Sequence, residues 1–295
     1  METYAAGLAK LKDSIAGKIV LDVGSGTGVL SMMCAKICNP KHVYAVEANR
    51  HIADMSRLII EQNGLHDQIT VINKPVEDIE LVDWKHGQEK AGVIISEWMG
   101  FYLVHEAMLD SVLWARDFLC EPNPVMLPSS CRIWAAIVSN EKFRADELEV
   151  WKTPITCGLD MSTIGMARAV ELTASPQIEV LDPTQLLSEP KVAFELNLAT
   201  LDRLGFMTRP LSQQLCLKIA REGVFSSVGI WFDVSFGETG IMLDSSPLSP
   251  PTHWKQTNVF LGCWAPVAVG TPIDFNLVIS RPDPTERQYT ITIET

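Results

Sequence analysis

Apolar residues along the first third of the chain follow two alternating rhythms. Short β-branched runs at 19–23, 42–46 and 69–72 are separated by stretches at 30–37 and 52–62 whose apolar positions recur at helical spacing. That is a βαβαβ order, and it predicts a parallel sheet with helices on both faces and ligands at the carboxyl ends of the strands. A further apolar run at 92–95 reads as a fully buried strand, and an apolar-periodic helix is expected from about 105 to 119. The rhythm breaks at EPNPVMLPSS, residues 121–130, where Pro122, Pro124 and Pro128 mark a connection that cannot continue a helix. The boundary placed there divides the chain into residues 1–128 and 129–295. Beyond it, spaced strand-like segments at 132–138, 191–198, 213–219, 229–236, 258–264, 273–279 and 289–293 suggest an antiparallel sandwich or barrel. Residues 143–169 fit neither rhythm.

A chain of 295 residues exceeds the usual size of one compact core, in keeping with two packed units. Apolar residues at 47% and charged residues at 20% place it among ordinary globular proteins. A net charge of −12 argues against a nucleic acid held through its phosphates. It suits a cationic partner such as an arginine-rich peptide, and equally suits a surface that merely stays in solution. The seven cysteines contain no CxxC pair and the six histidines are scattered, so no metal site is read and the thiols are expected to be reduced. No apolar run approaches the ~20 residues that cross a bilayer, and METYAAGLAKLKD lacks the form of a secretory leader. The expectation is a soluble, unsecreted protein of the cytoplasm, the nucleus or both.

VLDVGSGTG, residues 20–28, sets Gly24, Gly26 and Gly28 directly after a strand and before a helix. Small residues let the backbone turn sharply and approach a ligand while the first helical amides face it. Glu47, at the end of the second strand, can take ribose hydroxyls of either a dinucleotide or S-adenosylmethionine. The last two glycines are one residue apart, unlike the GxGxxG dinucleotide pattern, and Asp22 precedes the first; both tilt the reading to S-adenosylmethionine. The same loop can also be a mere tight turn. In KPVED, residues 74–78, Glu77 can accept from an adenine amino group and Val76 can pack the ring, although an acidic loop is more often only solvated.

SEWMGFYLVHEAML, residues 96–109, carries Glu97 at the end of the buried fourth strand and Glu106 beyond a turn at Gly100. Two carboxylates aimed at one point call for a cation between them, and a guanidinium binds carboxylates in paired fashion. At ~4 Å one such contact is worth on the order of 4 kcal/mol at an effective dielectric near 20, before desolvation. Arginine's pKa, above ~12, makes its nitrogen a poor nucleophile until carboxylates draw its charge aside, so the pair can activate as well as bind. The bland alternative is a helix start with Glu106 in its first turn and Glu97 in a structural ion pair. PPTHWKQ, residues 250–256, adds His253, which can manage a released proton, and Trp254, which can wall a guanidinium pocket. Met99 and Met108 can shape the pocket around the reacting nitrogen, or simply fill space.

The glycine loop, Glu47, the two-glutamate loop and the Thr252 to Trp254 triplet stand in the order and spacing of the protein arginine methyltransferases, which this chain resembles over nearly its whole length. The resemblance implies an α/β Rossmann-like S-adenosylmethionine domain followed by a mostly antiparallel β-barrel, with a helical arm near 143–169 that makes a homodimer. It implies a cis peptide at Pro128, Glu97 and Glu106 as the catalytic guanidinium-binding pair with His253 beside them, and Asp22, Gly24, Gly26, Gly28, Glu47, Val76 and Glu77 around the cofactor. Met99, Met108 and Trp254 fall at the substrate pocket. The implied substrates are arginines of proteins, in histone tails or Arg/Gly-rich segments, and the implied products are monomethylarginine and asymmetric dimethylarginine. Two departures qualify the picture. The family's preceding helical segment, with its YFxxY motif, its cofactor-binding arginine and the aspartate that pairs with the THW histidine, is not in the sequence, and Tyr4 aligns with the last tyrosine of the family's RTxxY motif. Phe101 stands where many members have tyrosine. The first departure keeps a second expectation open, a noncatalytic dimer partner of an active homologue; a nicotinamide-dependent oxidoreductase rests only on the glycine loop and Glu47.

Overall fold

The computed structural model describes residues 1–80, 84, 89–154, 158–283 and 286–294. Strands β1 (Ile19–Val23), β2 (His42–Val46), β3 (Ile69–Ile72), β4 (Ala91–Ile95) and β5 (Cys120–Leu127) form one parallel sheet in the order β3-β2-β1-β4-β5. β1, β2 and β4 are buried at every position, as continuous apolar runs covered on both faces must be. Helices α1 (Glu2–Lys10), α2 (Lys12–Ile15), α3 (Val29–Cys38), α4 (Arg50–Gln62) and α5 (Leu109–Leu119) surround the sheet. The strand order reverses between β1 and β4, so the crevice for a ligand opens at their carboxyl ends.

The proline-marked stretch is not simply a connection. Cys120 pairs with Ala91 and Val125 with Val93, so residues 121–124 bulge out of register on an edge strand, where Pro122 and Pro124 cost no ladder hydrogen bonds. Helix α5 begins at Leu109 rather than near 105, because Ala107 has φ 52°, a left-handed conformation that no α-helix contains. Helix α1 was not foreseen in the hydrophobic pattern; it buries Tyr4, Gly7 and Leu8 on one face.

A cis Leu127–Pro128 bond leads from β5 into β6 (Ser130–Val138). Together with β7 (Gln177–Glu179), β8 (Lys191–Asn197), β10 (Gly223–Ser235), β11 (Met242–Asp244) and β12 (Gln256–Val267), β6 builds a six-stranded antiparallel sheet. A second, three-stranded sheet joins β9 (Leu211–Lys218), β13 (Pro272–Ser280) and β14 (Thr290–Glu294). The result is an antiparallel, barrel-like unit fused to the Rossmann-like one. The stretch that fitted neither rhythm is helical turns at Glu141–Phe143, Arg144–Leu148 and Glu149–Lys152, then helix α7 (Ser162–Ala174), counting Glu141–Phe143 as α6. Residues 155–157 of that expected arm lie outside the described residues. Among the described residues, no helix is long and apolar enough to cross a membrane.

Candidate active site

The glycine loop turns through three left-handed residues, with φ of 69°, 54° and 85° at Gly24, Gly26 and Gly28. At Gly28 a Cβ would meet Ser56 Oγ at 2.8 Å, so glycine lets α3 start close against α4. Nothing lies within 4 Å of a Cβ at Gly26, leaving that part of the loop open. Glu47 accepts hydrogen bonds from the amides of Gly26 (3.0 Å) and Asn49 (2.7 Å), which fix its carboxylate beside the loop at the end of β2. Asp22 lies beneath the loop, fully buried, accepting from Ser31 Oγ at 2.6 Å while its other oxygen has no partner. Burial, with a smaller contribution from Glu47, pushes its pKa up to about 7. Val76 is buried after β3, and the neighbouring Glu77 accepts from Ser111 Oγ of α5 at 2.5 Å. An open glycine loop, a carboxylate at the end of the second strand and an apolar side chain at the end of the third fit an adenosine-bearing group. Glu47 would hold the ribose, and Val76 and Glu77 the base. Asp22, with no exposed surface, would brace the loop rather than touch the ligand.

Glu97 follows β4, whose end is tied to β1 by the Ser96 hydroxyl donating to Val23 O at 2.7 Å. Gly100 and Leu103 then exchange backbone hydrogen bonds of 2.9 and 3.1 Å across a tight turn. Tyr102 and Leu103 are left-handed within it, at φ 42° and 77°, a strained backbone of the kind that concentrates at functional sites. A Cβ on Gly100 would stand 3.0 Å from the Glu106 amide, so the turn presses directly on the second glutamate. Glu97 is half-buried with one carboxylate oxygen unpartnered, and its pKa is raised by burial and then by the negative charge of Glu106. The two carboxylates thus sense each other, and the N-terminal ammonium of Met1 offsets part of that repulsion at Glu97. Glu106 is exposed and sits in the turn before α5, not in a helical first turn.

From the barrel side, the Trp254 indole donates to Met99 O at 2.7 Å, and Trp254 is only 7% exposed. The indole therefore joins the two units through its N–H while its ring still lines the cleft beside Glu97. His253 is exposed and stacks on Trp254 with ring centroids 3.8 Å apart. A cleft of about 730 Å³ is lined by Tyr4, Glu97, Met242, Asp244, His253 and Trp254, bringing the first glutamate and the histidine to one space. Met99 is buried against the Tyr4 hydroxyl, while Met108 lies elsewhere, its methyl over Gly24 of the glycine loop. Tyr4 was not among the expected site residues; it donates to Ser96 O at 2.8 Å and stacks edge-on against Phe236 at 4.8 Å. The spacing of Tyr4, Gly7 and Leu8 is the helical signal that marks it. Among the described residues, no three His, Cys, Asp or Glu side chains group to hold a metal ion.

Comparison with known proteins places the two units in one family. Residues 129–295 match the family described as the arginine methyltransferase oligomerization subdomain, and residues 6–82 match the methyltransferase small domain. Protein arginine N-methyltransferase 2 of Xenopus tropicalis is 35% identical over 98% of this chain, which spans 66% of that protein, just under two thirds of its length. Protein arginine N-methyltransferase 6 of Danio rerio is 35% identical over 99% of the chain and 82% of that protein. Among solved structures, the Trypanosoma brucei PRMT1 enzyme-prozyme heterotetrameric complex with AdoHcy superposes with a TM-score of 0.82 at 28% identity, over 98% of this chain and 87% of that one. PRMT6-SAH gives 0.82 at 31%, over 99% and 95%. On the family model over residues 129–295 and on relatives 35% identical along nearly its whole length, this chain belongs to the protein arginine N-methyltransferases, the S-adenosylmethionine-dependent enzymes of arginine methylation.

Proposed function

We propose that this chain transfers methyl groups from S-adenosylmethionine to guanidino nitrogens of arginines in proteins, giving monomethylarginine and then asymmetric dimethylarginine. The observation that carries the reading is the Glu97 and Glu106 pair: a half-buried carboxylate with an unpartnered oxygen, raised by burial and then by a second carboxylate across a tight turn, is a site for a planar cation. When bound, the cofactor supplies a methyl group on a sulfonium. Glu97 and Glu106 would hold the guanidinium and draw its positive charge toward the nitrogens they contact, leaving electron density on the nitrogen facing the crevice. His253, which lines the cleft that holds Glu97, would be an acceptor for the proton that the methylated nitrogen gives up. Met108, between the glycine loop and the glutamate loop, would limit the space around the reacting nitrogen. The net charge of −12 favours arginine-containing polypeptides such as histone tails or Arg/Gly-rich segments. The arm around α7 would carry a homodimer.

Mass spectrometry of an Arg/Gly-rich peptide incubated with the protein and S-adenosylmethionine tests this. Mono- and asymmetric dimethylarginine are expected, and Glu106→Gln should lower turnover at least a hundredfold with the fold intact. Retained turnover in that variant overturns the assignment of the pair. A second reading, a regulatory partner of an active homologue, draws on the likeness to an enzyme-prozyme complex. It predicts no product from the chain alone and increased product when an active arginine methyltransferase is added.

A further inference from the structure

Behind the glutamate loop lies a chain of polar groups that the proposed chemistry does not use. Tyr102 Oη is 2.6 Å from Tyr289 O and 2.6 Å from His105 Nδ1. The hydroxyl has one proton, and a backbone carbonyl only accepts, so Tyr102 donates to Tyr289. It must then accept from the imidazole, and His105 carries its proton on Nδ1. Burial pushes the Tyr102 hydroxyl well above the ordinary phenol range, so it keeps the proton this arrangement needs. In the neutral ring, Nε2 is left as a lone-pair acceptor. His105 is only partly buried, and it lines an open cleft of about 570 Å³ with Glu106, Glu286, Arg287 and Gln288. Arg287 Nε donates to Glu106 O at 3.2 Å, fixing the backbone that joins the imidazole to the second glutamate.

This cleft shares no lining residue with the one that holds Glu97 and His253. A guanidinium held between the two carboxylates has its N–H groups engaged there, and the positive charge of Arg287 disfavours a second cation in the cleft of His105. What an arginine-bearing polypeptide can still offer at that point is a backbone N–H next to the methylated residue.

We propose that His105 is a substrate-binding residue: locked as the Nδ1–H form by Tyr102 and Tyr289, it presents Nε2 to accept a hydrogen bond from the backbone of the acceptor polypeptide beside Glu106. The inference rests on the arginine-methylating reading of the site. It explains why the loop tolerates left-handed backbone at Tyr102 and Leu103, since that conformation carries the hydroxyl to the barrel. It also assigns the barrel hairpin around Tyr289 a part in substrate recognition.

The test uses the full chain, a fluorescent Arg/Gly-rich peptide and saturating S-adenosylhomocysteine. His105→Asn keeps a donor for Tyr102 but has no atom at Nε2, and its peptide affinity should fall about tenfold, ~1.4 kcal/mol. The affinity for S-adenosylhomocysteine should not change in the same variant, which a general loosening of the loop would not spare. Equal peptide affinity in His105→Asn and the unaltered chain overturns the proposal. Long-range ¹⁵N–¹H spectra of labelled imidazole give a readout that needs no peptide: protonated Nδ1 and bare Nε2 at His105 are expected, and a proton on Nε2 of the neutral ring overturns the proposal. A chain that binds peptide through His105 yet makes no methylarginine would sink the catalytic reading and leave this one standing.

Discussion

Glu97 is held in a state that costs the fold something. Burial and Glu106 both raise its pKa, so the folded chain binds this proton more tightly than the unfolded chain does. A raised carboxyl favours the folded state below its unfolded pKa, and that advantage is lost as pH rises through the folded value. Glu97→Gln, which keeps the shape and removes the charge, should therefore have a higher Tm than the unaltered chain at pH 8. The difference should vanish near pH 4, and methyl transfer should be lost at both. Thermal melts across that range check the sign; a variant less stable at pH 8 would mean that Glu97 has a compensating partner. The pair itself was legible in the sequence because both glutamates lie in one short segment around a glycine. The Tyr102 contact was not, because its acceptor lies 187 residues away and is a backbone atom that no residue type announces. At Trp254, residue type suggested a pocket wall but could not show that its N–H also ties the barrel to Met99 O.

At the scale of elements, the strands that were read mostly fall within a few residues of their places, because β-branched runs bounded by polar turns leave little choice of type. The proline-bearing β5 and the short β7 and β11 were not read, and β10 starts at Gly223 rather than 229. The ends were misread where backbone geometry overrode apolar spacing. Residues 105–108 continue the helical pattern of α5, yet the left-handed Ala107 keeps them out of the helix and puts Glu106 in a turn. Gly100 is the counterpart on the other side of that turn. A methyl group there would approach the Glu106 amide to 3.0 Å and its Cγ to 3.2 Å, so Gly100→Ala must shift the glutamate by a few tenths of an ångström. Because only one methyl group is added and the contact needs a shift of a few tenths of an ångström, the stability loss should be about 1 kcal/mol. Turnover should fall more than tenfold, because misplacing a group that aligns reactants costs rate out of proportion to energy. Denaturant unfolding and steady-state kinetics on one preparation separate the two, and an unchanged kcat would show that the loop relaxes freely.

For the molecule as a whole, alternation of strand and helix followed by strands alone was enough to expect an α/β layer and an antiparallel barrel-like unit. The arm was invisible as structure since its turns are short and irregular before α7. That helix leaves Met166 61% and Val170 69% exposed, on a segment within the matched oligomerization subdomain. If the arm carries a homodimer, placing carboxylates at both positions by Met166→Asp with Val170→Asp should shift the protein to half its mass in light scattering. A mass unaffected by the two changes would move the interface elsewhere.

The bond from Tyr102 to Tyr289 O has one more consequence, for how the molecule is made. Residues 97–106 leave the ribosome long before residue 289 does, so a nascent chain carries both glutamates while the loop between them still lacks its anchor. The α/β layer can collapse early, but the glutamate loop gains its anchor only after the hairpin near residue 289 has emerged and docked. Synthesis thereby imposes an order in which the crevice of the α/β layer can form before the glutamate loop is tied to the barrel.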